Sequence, residues 1–183
     1  MRHSARPPIL DPALTYEIGL TEEGVRTAEA LGSLLKEWFR PGRLMAAPVG
    51  RCLDTAAAIA RGASWPETVV ADERLSHPFM AQAFQMVALG QTNGVLPVPV
   101  RITLDLLLHA PELAPYQEAP RLDVMVTHDT VLGALVGALM RVPITEKTWP
   151  EFLEGIFVWN VGDQVHARWR GEEMVLTGLF AGG

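Results

Sequence analysis

Strands that alternate with helices predict an α/β fold here, a three-layer α/β/α sandwich around a mostly parallel central sheet. Three observations carry that expectation. Apolar or β-rich runs at residues 43–47, 68–71 and 122–127 have the length of strands. Helical stretches with apolar residues three and four apart lie between and after them. Apolar residues make up 49% of the 183 residues and charged residues 20%, enough apolar material to build a core.

Thr21-Glu22-Glu23-Gly24 opens the first helix. Thr21 can accept an orphan backbone N–H, and two glutamates suit the positive end of the helix dipole. Val25, Ala28, Leu31, Leu35 and Trp38 then form one apolar stripe, and Pro41-Gly42 is expected to stop the helix. Residues 43–47 read as a short buried strand. Pro48-Val49-Gly50 turns the chain into a second helix over 51–61, with Gly62 as its expected cap. Residues 79–89 and 100–109 read as helices. The strand at 122–127 runs directly into a helix over 129–140, where Gly133, Ala134 and Gly137 suggest close packing. Residues 155–161 and 164–170 read as two strands joined at Gly162-Asp163, so the last third is more antiparallel. Proline-containing stretches at 6–12, 97–99 and 111–120 read as loops rather than boundaries. The expectation is a single domain over 1–183, with about 72–120 as a substrate-selecting cap.

Composition excludes several classes. A net charge of −6 and a pI near 5.3 disfavour a bulk electrostatic fit to nucleic acid. No apolar run reaches the ~18 residues of a membrane span. Cys52 is the one cysteine, so there is no intrachain disulfide and no CxxC motif. The first residues lack the apolar stretch of a signal peptide, and a cytoplasmic location is expected.

Ligands of open α/β sheets bind beyond the carboxyl ends of the strands. Two such junctions hold suitable chemistry. Arg51 begins the second helix, and His128 and Asp129 begin the helix after 122–127. A helix N-terminus already favours an anion, and an arginine and a histidine placed there suit a phosphate. The third piece is Arg2-His3-Ser4-Ala5-Arg6. Two forked cations flank an imidazole that could attack phosphorus, and the same cations disfavour its protonated form.

Arg2-His3-x-x-Arg6-Pro7 resembles the RHGxRxP motif of the histidine phosphatase superfamily, the phosphoglycerate-mutase-like fold. Leu20-Thr21-Glu22-Glu23-Gly24 resembles its LTxxG helix start, and residues 48–56 resemble its S-P-x-x-R-x-x-x-T-A segment. Thr127-His128-Asp129 resembles the second histidine with the HD pair of the acid-phosphatase branch. The four matches follow the family order. The resemblance implies a phosphatase acting on a small phosphate monoester without a cofactor or metal. His3 would take the phosphoryl group as phosphohistidine, and Arg2, Arg6, Arg51 and His128 would bind its oxygens. Asp129 would be the general acid, with Glu73 the fallback, because His77 stands where one branch has its acidic residue. Ser4 replaces the motif glycine and Ala47 the motif serine. The family nucleophile ends a central strand, whereas only Met1 precedes Arg2 in this sequence.

Plainer alternatives stand beside these roles. Arg2, His3 and Arg6 could form a polar tail, Arg51 could pair with Asp54, and Asp129 could cap its helix beside a buried histidine. His77, His109 and His166 read as structural or exposed, and Cys52 as a small core residue. The run 149–155, from Trp149 to Gly155, suits either core packing or the rim of a substrate pocket. The apolar residues of 80–89 suit a buried helix face, a substrate pocket or a homodimer interface. A catalytically inactive member that binds a phosphorylated ligand or a protein partner is the alternative function. The metal-dependent HD phosphohydrolases are all-helical, and a strand before His128 argues against them.

Overall fold

The computed structural model describes residues 1–76, 78–90, 97–108, 119–162 and 164–176. Helix α1 (Glu22–Leu35) begins where the Thr21 hydroxyl accepts the Gly24 N–H at 2.9 Å. Its buried stripe is Gly24, Ala28 and Gly32, with Val25, Leu31 and Leu35 half-buried beside it. Trp38 does not continue that stripe and is 70% exposed. The helix has ended at Leu35, and Pro41 and Gly42 lie inside strand β1 (Arg40–Ala46), where pairing with its neighbour shifts register.

Helix α2 (Gly50–Ala63) runs past the expected cap. Ser64, at φ 57°, ends it in the left-handed region. Gly62 instead makes room for α1, since a Cβ there would meet the Glu29 carbonyl oxygen. That glycine marks a close helix contact rather than a stop.

Strand β1 lies between β2 (Val69–Ala71) and β3 (Arg121–Val126), and both pairings are parallel. The chain start extends this sheet. Arg2 bridges Thr127 in parallel, the Thr127 N–H donates to the Met1 carbonyl at 2.8 Å, and the His3 N–H donates to the Thr127 carbonyl at 2.9 Å. On the other side the Arg2 N–H donates to the Glu154 carbonyl at 2.8 Å. Residues 1–3 thus hold the place that the sequence left without a strand. The first core joins α1, α2, β1 and β3.

Helices α3 (Met80–Ala88) and α4 (Val98–Leu108) pack with α5 (Asp129–Leu139) in a second core. Phe84 and Val87 of α3 sit against Gly133 and Gly137, the close packing expected of those small residues. Strands β4 (Phe157–Val161), β5 (Gln164–Trp169) and β6 (Glu172–Leu176) form a separate antiparallel sheet. The sequence reading missed β6. Its signal is Arg170-Gly171, where φ values of 47° and 85° suit a two-residue hairpin turn. His77, His109 and Asp163 lie outside the described residues. No helix among the described residues is long and apolar enough to cross a membrane.

Candidate active site

Strands β1 and β3 end side by side, with Ala46 opposite Val126, and α2 and α5 start just beyond them. Neither helix start has a side-chain cap from its N-cap residue, Val49 or His128. The chain start brings His3 to the same end of the sheet.

His3 is 2% exposed. Its Nδ1–H donates to its neighbour's carbonyl, Ser4, at 2.8 Å, and its Nε2 accepts the Arg51 Nε–H at 3.1 Å. The two bonds agree on one tautomer, with the lone pair on Nε2. Burial pushes the His3 pKa down to about 4; the Ser4 carbonyl opposes this, and Arg51, His128 and Arg2 reinforce it. The ring is therefore neutral at pH 7.

Arg51 is buried on three partners. Besides His3, it donates to the Thr15 carbonyl at 2.6 Å and lies 3.3 Å from His128 Nδ1. It does not bond Asp54, which is exposed. The His128 ring stands edge-on to His3 with 5.7 Å between centroids. Burial, aided by Arg51, also lowers His128 to about 4, against the pull of Asp129. Cys52 packs under this ring, its Sγ 3.8 Å from both nitrogens. Burial pushes its thiol up to about 12, so Cys52 is a packing residue.

Arg2 donates to the Pro150 carbonyl at 2.6 Å and pairs with Asp129 at 3.1 Å. Its guanidinium lies 4.1 Å over the Phe152 ring. The other Asp129 oxygen accepts the Thr130 N–H, so Asp129 also serves its own helix start. Arg6 is half-buried, and one of its amines donates to the Pro7 carbonyl at 2.9 Å. The Nε atoms of Arg2 and Arg6 are both buried without a hydrogen-bond partner. Such donors cost stability unless a ligand or water meets them. Glu73 is exposed in the 3-10 turn Glu73–Leu75 and bonds none of these side chains.

The sequence departures have local explanations. The Ser4 hydroxyl donates to the Gly24 carbonyl at 2.7 Å, and the Ser4 N–H donates to Thr55 Oγ1 at 3.0 Å. A Cβ on Gly24 would meet the Ala5 carbonyl oxygen. The start of α1 therefore docks directly on the backbone that follows His3. The Ala47 N–H donates to the Val126 carbonyl, a backbone bond that needs no serine.

Phe152, Pro150 and Thr15 were not named as site residues from the sequence. Pro150 and Phe152 both lie in the run 149–155 considered as a rim, which was the available signal. Thr15 and Pro150 act through carbonyls, which residue type does not reveal. His166 is remote from this group, stacked on Trp159 and bonded to Glu173 at 3.1 Å. Among the described residues, no group of three or more His, Cys, Asp or Glu is placed to hold a metal ion.

The arrangement is a neutral imidazole nitrogen with the guanidiniums of Arg2 and Arg51 and a second imidazole beside it, and with Arg6 near enough to act electrostatically on Arg2, Arg51 and His128. It suits a compact oxyanion. The family model of the histidine phosphatase superfamily (branch 1) matches residues 14–78. That span includes Gly24 and Arg51 but ends before the His128–Asp129 pair, on which the sequence pointed toward the acid-phosphatase branch. No curated protein sequence matches the chain. Among solved structures, a mycobacterial glucosyl-3-phosphoglycerate phosphatase complexed with VO3 is 17% identical, with 92% of this chain and 94% of that one covered and a TM-score of 0.59. The protein called mycobacterial hydrolase 1 is 18% identical, with coverage of 92% and 94% and a TM-score of 0.60. YhfR of Bacillus stearothermophilus is 20% identical, with coverage of 93% and 94% and a TM-score of 0.54. At these identities the likeness to each is one of fold. Residues 14–78 are thus similar to the histidine phosphatase superfamily, and the chain as a whole shares the fold of these solved structures.

Proposed function

We propose that this chain is a phosphomonoesterase that passes the phosphoryl group of a small ester to His3 and then to water. The observation that carries this reading is the neutral, buried His3, its Nδ1 tied to Ser4 and its Nε2 turned to Arg51. Arg2, Arg6, Arg51 and His128 hold the phosphoryl oxygens in this reading. The unpartnered Nε donors of Arg2 and Arg6 support it. As phosphorus takes its place at Nε2, the Arg51 Nε–H moves from the ring to a phosphoryl oxygen.

The His3 lone pair forms the N–P bond while the P–O bond to the leaving alcohol breaks. Asp129, displaced from Arg2 and protonated by the acidic proton of the bound monoester, gives that proton to the departing oxygen, then takes one from the water that attacks the phosphohistidine and passes it to the phosphate that leaves. Inorganic phosphate leaves and His3 returns to its neutral form. Asp129 starts out paired with Arg2. A phosphate drawn onto Arg2 competes for that guanidinium and releases the carboxyl group to serve the leaving oxygen. No metal has a role in these steps. The domain spans residues 1–183, and the segment about 72–120 selects the substrate.

A second reading is an inactive member that binds a phosphorylated ligand or protein partner. The Asp129–Arg2 pair favours it, because it ties up the acid. Hydrolysis of an aryl phosphate, with and without a chelator, separates the two. The expected result is chelator-resistant turnover, lost in a folded His3→Ala variant, cut by Asp129→Asn and kept in Glu73→Gln. An unchanged rate in His3→Ala overturns the mechanism. A larger loss in Glu73→Gln than in Asp129→Asn would move the acid to Glu73. A folded wild-type protein that binds phosphate but turns over no ester would leave the inactive reading.

A further inference from the structure

The run from Trp149 to Glu154 holds Arg2 from one side and is itself held from the other. Toward the chain start, the Glu154 carbonyl accepts the Arg2 N–H at 2.8 Å, and the Pro150 carbonyl accepts an amine of the Arg2 guanidinium at 2.6 Å. The Phe152 ring lies 4.1 Å from that guanidinium, and the Leu153 N–H donates to the His3 carbonyl at 3.4 Å. Away from the chain start, the run meets Arg170, in the turn between β5 and β6. The Arg170 fork grips both Glu154 carboxylate oxygens, at 2.5 and 2.9 Å. It also donates to the Lys147 carbonyl at 2.8 Å and to the Trp149 carbonyl at 3.0 Å. The Glu151 N–H donates to the same carboxylate at 2.8 Å, which closes the run on itself. The buried Trp169 ring backs the Arg170 guanidinium at 4.3 Å. Glu154 therefore joins the two sides, its carbonyl on Arg2 and its carboxylate on Arg170.

Two strained residues mark the same place. Leu153 at φ 60° and Arg170 at φ 47° both sit in the left-handed region. A side chain other than glycine adopts it at a cost, and it persists where the surroundings over-determine it. A lone exposed ion pair is worth little. Arg170 is more than that, because its planar fork meets a carboxylate and two carbonyls at once. We infer that Arg170 is a positioning residue for the phosphoryl-binding site. Through Glu154 and the two carbonyls it fixes the run that presents the Pro150 carbonyl and the Phe152 ring to Arg2. It touches none of the reacting atoms. Its hold matters most when Asp129 leaves Arg2, since the Pro150 carbonyl and the Phe152 ring then keep the guanidinium in place. The antiparallel sheet thereby sets the geometry of a site to which it supplies no reacting group. This rests on the phosphatase reading for its effect on turnover and on geometry alone for its effect on Arg2.

The test is a double-mutant cycle between Arg170→Met and Arg2→Met, read as kcat/KM for an aryl phosphate. Arg170→Met is expected to lower kcat/KM about tenfold in the wild-type background and to cost nothing further beside Arg2→Met, because its effect passes through Arg2. Arg170→Lys, which can pair with Glu154 but lacks the fork for the two carbonyls, should fall between. Glu173→Gln breaks the His166 contact in the same antiparallel sheet and should leave kcat/KM unchanged. A loss of the same size in both backgrounds makes Arg170 structural only and overturns the proposal. A second readout needs no substrate. The Arg2 Nε–H resonance of the free protein carries the ring current of Phe152; Arg170→Met and Glu154→Gln should move it, and Glu173→Gln should not. An Arg2 resonance unmoved in Arg170→Met overturns the proposal, whatever the protein hydrolyses. A resonance that moves in a protein that turns over no ester supports the positioning role and faults the phosphatase reading alone.

Discussion

At the scale of single residues, charge and burial set the pH behaviour. His3 and His128 are both pushed from the ordinary 6.5 to about 4, chiefly by burial. A lowered folded-state value means that the unfolded chain binds protons more readily. Stability is therefore full above pH 6.5 and falls as the pH drops toward 4, at up to about 1.4 kcal/mol per pH unit for each ring. Thermal melts across that range should show this slope, and His128→Asn should flatten it; identical slopes would remove these rings as the cause. Arg51 makes a further point about residue type. Its fork reaches His3, Thr15 and His128 together, which a lysine point charge does not do. Arg51→Lys should lower kcat/KM by about 10²–10³ with little change in melting temperature. Near-normal kinetics in that variant would take Arg51 out of the cradle. The arginines and histidines were legible because their chemistry is in the side chain and they stand at helix starts or flank one another. The carbonyls of Thr15 and Pro150 were not, because any residue could supply them.

At the scale of elements, two glycines decide how the site is assembled. Gly62 lets α2 lie on the α1 backbone at Glu29, and Gly24 lets α1 lie on Ala5. Gly62→Ala gains helix propensity but forces the helices apart, so it should destabilise by about 1–3 kcal/mol while kcat stays near normal. Gly24→Ala pushes on the backbone two residues from His3, so its main loss should be in kcat. Denaturant melts and steady-state kinetics on the two variants check the contrast, and equal effects on kcat would contradict it. These contacts also explain what the sequence hid. Gly62 looks like a helix cap when read alone, because nothing local tells that Glu29 will lie above it. The α1 stop was misplaced for a related reason. Pro41 and Gly42 are breakers, but they sit in a strand whose register shifts around them, and the helix had already ended. Helices α2 and α5 and strand β3 were legible because pattern and junction agreed, whereas β6 depended on a two-residue turn.

At the scale of the whole molecule, the site is a junction of segments far apart in sequence. The chain start, the loop that carries Thr15, the start of α2, the β3–α5 junction and the run at Pro150 all meet through Arg2, His3 and Arg51. The chain carries a net charge of −6, yet the Arg6 guanidinium acts electrostatically on those of Arg2 and Arg51 here. An oxyanion in the cradle would relieve that repulsion and satisfy the Nε donors of Arg2 and Arg6. Because the anion bonds several segments at once, it binds the folded state and not the unfolded chain. Its binding energy then appears as global stability, about 2.7 kcal/mol at a hundred times its Kd. For a chain of this size that corresponds to a rise in melting temperature of roughly 5–10 °C. Tungstate or vanadate should produce this shift in the wild-type protein. Arg51→Ala should abolish it, because that change removes the donors that bridge the chain start to the β3–α5 junction. A shift that persists in Arg51→Ala would place the anion elsewhere and separate the geometry of this junction from phosphate binding.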